Sequence, residues 1–287
     1  MRNIFKDSTL QKDFERKGYV EIPALVSSDI AGLHELFVQH TDEYAQPFHT
    51  SHFSAEINYK RRVHEAIVNI VFPRLAAVLE NVKPIFGNLM IKHGMNDYFM
   101  PLHADWTYVE ESKFRSLAAW IPLINTDQEN GCLGVIEGSH KLSDKIRGPR
   151  IQQTSYTHDK VWVEKYGTLI PVKAGHAILF DHALMHYSPP NRTAGSRPAL
   201  NLSMVPAEAD LFHYCIPEGA SDIEEYHVDN SEFYLRYNNY QRPETNSLIR
   251  TLPADTVKWV DSKMESFNPY KKKGILGQLV DYYHRLK

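Results

Sequence analysis

The chain has 287 residues, 43% apolar and 23% charged, which is enough for one large domain with a sizeable core. Its formal net charge of −3 supplies no basic field to draw nucleic acid, and no apolar run reaches membrane-spanning length. The opening "MRNIFKDSTLQKDFERKG" lacks the apolar block of a secretion signal, and Cys132 and Cys215 are too few for a disulfide framework, so a cytoplasmic location is expected.

Up to residue 82 the pattern is helical. "STLQKDFERKG" offers Ser8 as a cap, Leu10 and Phe14 on one face, and Gly18 as a stop. "SSDIAGLHELFVQHTDEY" repeats apolar positions at Ile30, Leu33 and Phe37, and "YKRRVHEAIVNIVFPRLAAVLENV" is a third helix, with a kink expected at Pro73. From Lys83 short strands follow, broken by Gly, Pro and Asn: "PIFGNLMIK", "DYFMPLHAD", "SLAAWIPLI", "CLGVIE", "GTLIPV", "HAILFDH" and "PALNLSMVP". So many short strands predict a mainly β chain with flanking helices, built on a jelly-roll, the double-stranded β-helix of cupin-like proteins. Residues 1–287 then form a single domain, with a helical region over 1–82, a core over 83–206, and a lid-like insert with closing helices over 207–287. After residue 206 the text turns polar and aromatic and reads as irregular, and two amphipathic segments end the chain.

The chemistry starts in "PLHADWTY", residues 101 to 108. On a strand His103 and Asp105 share a face, which places two metal-competent side chains side by side. A facial site on iron needs one more ligand from a neighbouring strand, with the remaining positions left open. "HAILFDHALMHYSPPNR" offers His182 and His186. Eleven residues after His186 stands Arg197, with Ser188 between them, and an arginine near such a site holds a carboxylate by two parallel charge-assisted hydrogen bonds. That spacing favours His186.

The set "HADW", "ENGCLGVIEGSH" and "HYSPPNRTAGSR", in this order, resembles the phytanoyl-CoA dioxygenase family of Fe(II)/2-oxoglutarate oxygenases. "DFERKGYVEIPALVSSDIAGLHEL" is similar to that family's helix–strand–helix opening. The resemblance implies His103, Asp105 and His186 as iron ligands, and Arg197 with Ser188 as the holder of the distal carboxylate of 2-oxoglutarate. It also implies Trp120 as a wall of the cosubstrate pocket. Glu137 stands where the family favours proline, and Pro189-Pro190 where it favours glycine, which touches loop shape and not the ligands. The implied reaction consumes 2-oxoglutarate and O2, releases succinate and carbon dioxide, and oxidises an unactivated C–H bond. Halogenating relatives have a small residue in place of the carboxylate, so Asp105 implies hydroxylation, or a desaturation or cyclisation.

Other residues carry weaker expectations. Asn88 and Lys92 share a strand face, and both are expected to touch cosubstrate. Trp106, Tyr108, Tyr98 and Trp162 are expected as pocket walls, although strand aromatics are more often core. Arg192, wrongly offset to replace Arg197, is expected to be solvated or to face substrate. His140 reads as a structural histidine of its turn, and His182 as a packing residue. "KIRGPR", Lys145 to Arg150, reads as a solvated loop ahead of an anion clamp. The expected substrate is a small polar metabolite or biosynthetic intermediate. The alternatives are an acyl thioester substrate, a non-catalytic metal- or 2-oxoglutarate-binding protein on the same fold, and a zinc hydrolase using His182 with His186. No feature of the sequence specifies an oligomeric state.

Overall fold

The computed structural model describes residues 2–38, 47–142, 146–151, 156–237, 242–243 and 248–254. Helix α1 (Ser8–Lys17) is capped by Asp7, one residue ahead of the expected Ser8, because the Asp7 carboxylate accepts from the Thr9 and Leu10 amides. Gly18 closes it at φ 88°, in left-handed space, where a Cβ would also lie 2.5 Å from His140 Nδ1. The turn leads straight into β1 (Tyr19–Pro23) and then α2 (Ser27–Val38). A short β2 (Phe48–Thr50), absent from the helical reading of this region, precedes α3 (Ile57–Ala76), which contains Pro73. Tyr59, Val63, Ile67, Val71 and Leu75 recur at every fourth position of α3 and are buried, the apolar stripe of a helix lying on a sheet.

The core strands are β3 (Val82–Lys92), β4 (Met100–His103), β5 (Leu117–Pro122), β6 (Leu133–Ile136), β7 (Gly167–Ile170), β8 (His176–Asp181), β9 (His186–Ser188) and β10 (Arg197–Pro206). One sheet runs β1-β8-β5-β10-β3-β2, and a second runs β4-β9-β6-β7, all described pairings being antiparallel. Ala118, Trp120, Ile178, Phe180 and Ala199 of the larger sheet pack against Leu133, Val135 and Ile170 of the smaller. The outer face of the larger sheet packs Leu89, Ile91, Leu179, Leu200 and Leu202 against the helices. Two packed sheets flanked by helices make the expected jelly-roll.

Two further regions depart from the sequence reading. Helix α4 (Tyr156–Tyr166) fills the connection before β7. The stretch after residue 206, expected to be irregular, contains β11 (Leu211–Cys215), β12 (Ile223–Val228), α5 (Glu232–Arg236) and β13 (Leu248–Leu252), with the three strands in one antiparallel sheet. Its strands hid from a period-two reading because β11 and β12 are covered on both faces. Buried Glu224 and Glu225 are tolerated there because Arg242 and Arg250 pair with them. The segments 254–267 and 275–287, expected to be amphipathic, lie outside the described residues except for Ala254. Among the described residues no helix is long and apolar enough to cross a membrane.

Candidate metal centre

Strand pairing assembles the site. β4 pairs with β9 so that His103 lies opposite His186, after a register shift between Met100 and His103. The two imidazole rings lie 4.2 Å apart between centroids. Asp105 follows two residues beyond His103, and one ligand atom from each of His103, Asp105 and His186 lies within 4.8 Å of the others. Each histidine turns Nδ1 to a backbone carbonyl, His103 to Pro101 at 2.7 Å and His186 to Leu184 at 3.0 Å. With Nδ1–H donating there, Nε2 keeps a free lone pair. Burial, joined for His103 by the neighbouring His186, holds both imidazoles down near a pKa of 4, so they are neutral at pH 7. Burial raises the Asp105 carboxyl, with His103 and Arg147 opposing, and its Oδ2 is buried without a hydrogen-bond partner among the described residues. A buried carboxylate oxygen without a donor, beside two lone pairs, is an arrangement that a divalent cation completes.

Two cavities meet at these residues. The smaller, about 100 Å³, is lined by His103, Asp105, His186, Trp120, Ser188 and Arg197 among others. Arg197 is 2% exposed, and its Nε and Nη1 have no hydrogen-bond partner among the described residues. Its guanidinium carbon lies 5.4 Å from the Trp120 ring centroid, and burial lowers its pKa to about 10. Lys92, its register partner across β3 and β10, lines the same cavity. Burial and then Arg197 pull the Lys92 ammonium down. Its Nζ nevertheless donates to Ser188 O at 3.1 Å, Ser188 Oγ at 2.8 Å and Pro189 O at 2.6 Å, which occupies all three protons of the charged form. Arg197, still charged at neutral pH, makes the closed end of this cavity cationic.

Other expected residues fall elsewhere or act differently. The Ser188 hydroxyl lines the cavity, but it donates to Gly131 O at 2.9 Å and accepts from Lys92, so its proton is committed to the wall. Asn88 lines the larger cavity, about 480 Å³, and not the smaller, and the Thr50 hydroxyl donates to it at 3.3 Å. Trp106, Tyr108 and Tyr98 also line the larger cavity. Trp162 lines neither: it sits on α4, packed with Leu102, Ile136 and Met185. Arg192 also lines neither and pairs with Asp97 at 3.4 Å. His182 gives one ring nitrogen to Ser116 Oγ at 2.8 Å and the other to Ser203 Oγ at 3.2 Å, so it makes no zinc pair with His186. His140 meets Glu15 O at 3.2 Å and ties α1 to its turn.

Three residues escape the sequence reading. Arg147, expected in a solvated loop, is fully buried; it pairs with both oxygens of Glu111, and its Nε donates to the Asp105 carbonyl at 2.7 Å. Asn201 lines both cavities, its Oδ1 without a hydrogen-bond partner among the described residues, and Ser203 lines the larger. Counting every second residue from Arg197 along β10 passes through both, and that alternation was the available signal.

A family model described as phytanoyl-CoA dioxygenase matches residues 14–199. The chain is 25% identical over 165 residues to the phytanoyl-CoA dioxygenase domain-containing protein 1 homolog of Dictyostelium discoideum, covering 55% of this chain and 56% of that one. It is 30% identical over 139 residues to the 1-deoxypentalenic acid 11-beta-hydroxylase of Streptomyces exfoliatus, covering 44% and 48% respectively. The chain thus spans about half the length of the curated relatives it matches. Among solved structures, the non-heme alpha-ketoglutarate-dependent epimerase SnoN from nogalamycin biosynthesis superposes with a TM-score of 0.52 at 19% identity, covering 71% of this chain and 82% of that one. HygX from Streptomyces hygroscopicus, with nickel and 2-oxoglutarate bound, gives 0.53 at 15% identity, covering 75% and 92%. These likenesses support the jelly-roll architecture, and the family match extends over most of the described core. The chain belongs to the phytanoyl-CoA dioxygenase family.

Proposed function

We propose that this protein is an Fe(II)- and 2-oxoglutarate-dependent dioxygenase that hydroxylates an unactivated C–H bond of a small molecule, releasing succinate and carbon dioxide. The supporting observation is the convergence of His103, Asp105 and His186 at the junction of two cavities, one ending on Arg197, whose Nε and Nη1 have no hydrogen-bond partner among the described residues. His103 and His186 would hold the ferrous ion through Nε2, and Asp105 through a carboxylate oxygen. When bound, the ion supplies open coordination positions for the ketoacid and dioxygen, and with them the oxidising chemistry. Arg197 neutralises the distal carboxylate of 2-oxoglutarate, Trp120 backs the guanidinium, and Lys92 keeps Ser188 and Pro189 in place around it. The Pro101 and Leu184 carbonyls orient the two imidazoles, and Arg147 fixes the backbone of Asp105. Residues 1–287 are read as one domain, and the two free, buried cysteines fit a cytoplasmic setting.

The test is succinate release in the presence of Fe(II), 2-oxoglutarate and O2 across a panel of small molecules, with each component omitted in turn. Anaerobic addition of 2-oxoglutarate to the Fe(II) protein is expected to produce a visible charge-transfer band. A protein that shows neither the band nor succinate is not this enzyme. A band without coupled succinate under any substrate would mark a non-catalytic binder.

A further inference from the structure

The larger cavity has a wall that the expectation of a polar metabolite does not match. Phe48, Phe86, Trp106, Tyr108 and Tyr234 surround it, and its volume of about 480 Å³ falls within the range that buries whole drug-sized ligands. Among the described residues of the wall, Asp105 is the sole acid, and Arg150 the sole lysine or arginine. Asp105 belongs to the candidate metal centre, so the charge left for a ligand is that of Arg150.

Arg150 is held in an unusual way. Its φ is 63°, in the left-handed region that side-chain-bearing residues rarely occupy. The loop around it is pinned to its surroundings. The Thr107 amide donates to Arg147 O at 3.0 Å, the Arg147 amide to Thr107 Oγ1 at 3.1 Å, and the Ile216 amide to Pro149 O at 3.1 Å. Gly148 lies so close to β11 that a Cβ there would be 1.9 Å from Tyr214 O. Backbone strain kept by an over-determined loop is a recurrent mark of ligand sites. The strain here sets an exposed arginine at the rim of an aromatic cavity, where it has no ion-pair partner among the described residues.

We propose that the larger cavity takes an amphipathic organic acid, whose apolar ring or chain lies among the aromatic side chains and whose carboxylate pairs with Arg150. This rests on reading the adjoining triad as the oxygenase centre and names the substrate class of that site. The carboxylate at the rim orients the apolar body toward His103 and Asp105, so the bond to be oxidised lies on the body, away from the acid group. A coenzyme A thioester would also bring anions to the rim through its phosphates, and the test separates the two.

The full-length protein, held anaerobically with Fe(II) and 2-oxoglutarate, is titrated with adamantane-1-carboxylic, octanoic and abietic acids, with the primary amide of each, and with octanoyl coenzyme A. Tryptophan emission, to which Trp106 in the cavity wall contributes, and calorimetry report binding. At least one acid is expected to bind about tenfold or more tightly than its own amide, the gain of one charge-assisted contact over a neutral one. Arg150→Gln removes that preference while the amide still binds, and Arg150→Lys keeps most of it. Arg150→Gly also removes it, yet raises Tm by about 2 °C, because glycine occupies the left-handed conformation without strain. The proposal is overturned if no acid binds, if acids and amides bind alike, if the preference survives Arg150→Gln, or if octanoyl coenzyme A alone binds. The 2-oxoglutarate band scores the oxygenase reading separately, because binding of the acid is measured without turnover.

Discussion

Removing the Arg197 charge should weaken cosubstrate binding and at the same time stabilise the protein without it. Burial holds this guanidinium near a pKa of 10 against 12.5 in water, a cost of about 3 kcal/mol for keeping the charge inside the fold. The sign follows from proton binding. Below pH 10 the arginine is charged in both folded and unfolded chains, so the full cost is present at pH 7. The face of Trp120, 5.4 Å away, returns about 1–2 kcal/mol. Arg197→Met retains the apolar stem and should stabilise the 2-oxoglutarate-free protein by about 1–2 kcal/mol, raising Tm by about 3 °C. The same change leaves the distal carboxylate of the ketoacid buried without its charge partner, which costs about 3 kcal/mol, or roughly 100-fold in Kd. Differential scanning calorimetry without cosubstrate gives the first quantity. Anaerobic titration of the Fe(II) protein with 2-oxoglutarate gives the second, with Fe(II) affinity measured alongside as an internal control. A variant that binds 2-oxoglutarate within threefold of the parent refutes the assignment of this cation to the ketoacid, and one that is destabilised refutes the burial cost.

Asp105→Ala should lower Fe(II) affinity by more than about 100-fold and abolish succinate release, as equilibrium dialysis with an iron chromophore would show; unchanged iron binding would remove Asp105 from the ligand set. Acid should destabilise the metal-free protein. His140 and His213 are pushed down by burial to about 4 and about 3, so the unfolded chain takes up protons first as pH falls below 6.5. Asp181, raised to about 6, and Asp105, also raised by burial, act in the opposite direction, but four histidines outweigh these two carboxyls once His103 and His186 are included. Urea midpoints should therefore decline from pH 6.5 toward 4, and a flat profile would contradict the burial argument. Trp162→Ala should cost about 3 kcal/mol in unfolding free energy and leave the preferred substrate unchanged, because this ring packs in the core and lines neither cavity. Gly148→Ala should cost about 2 kcal/mol or more through the contact with Tyr214 O, and retention of wild-type Tm would show that the loop is not pinned.

The triad was legible because its chemistry is written in short, rigid spacings. His103 and Asp105 sit two apart, and the distance from His186 to Arg197 is fixed by a turn and the start of a strand. The jelly-roll could be read from strands that are short and bounded by Gly, Pro and Asn. What failed to show depended on contacts between distant segments. Nothing in "KIRGPR" distinguishes the buried Arg147 from the exposed Arg150; Glu111 and the Asp105 carbonyl make that difference, and both lie on another loop. Trp162 reads like any aromatic until α4 places it behind β4. The sheet after residue 206 stayed hidden because His213, Glu224 and Glu225 interrupt its apolar pattern, and the Arg242 and Arg250 that pair with the two glutamates lie outside β12.

The ladder that sets His103 across from His186 joins two strands separated by a long run of chain that includes β5 to β8. An ion gripping both imidazoles would act as a clasp on that run, removing from the opened chain the same freedom that a covalent cross-link removes. Resistance to proteases and shelf life should then track the occupancy of the clasp, so a batch stripped by chelator ages faster than one kept loaded, whatever its catalytic history.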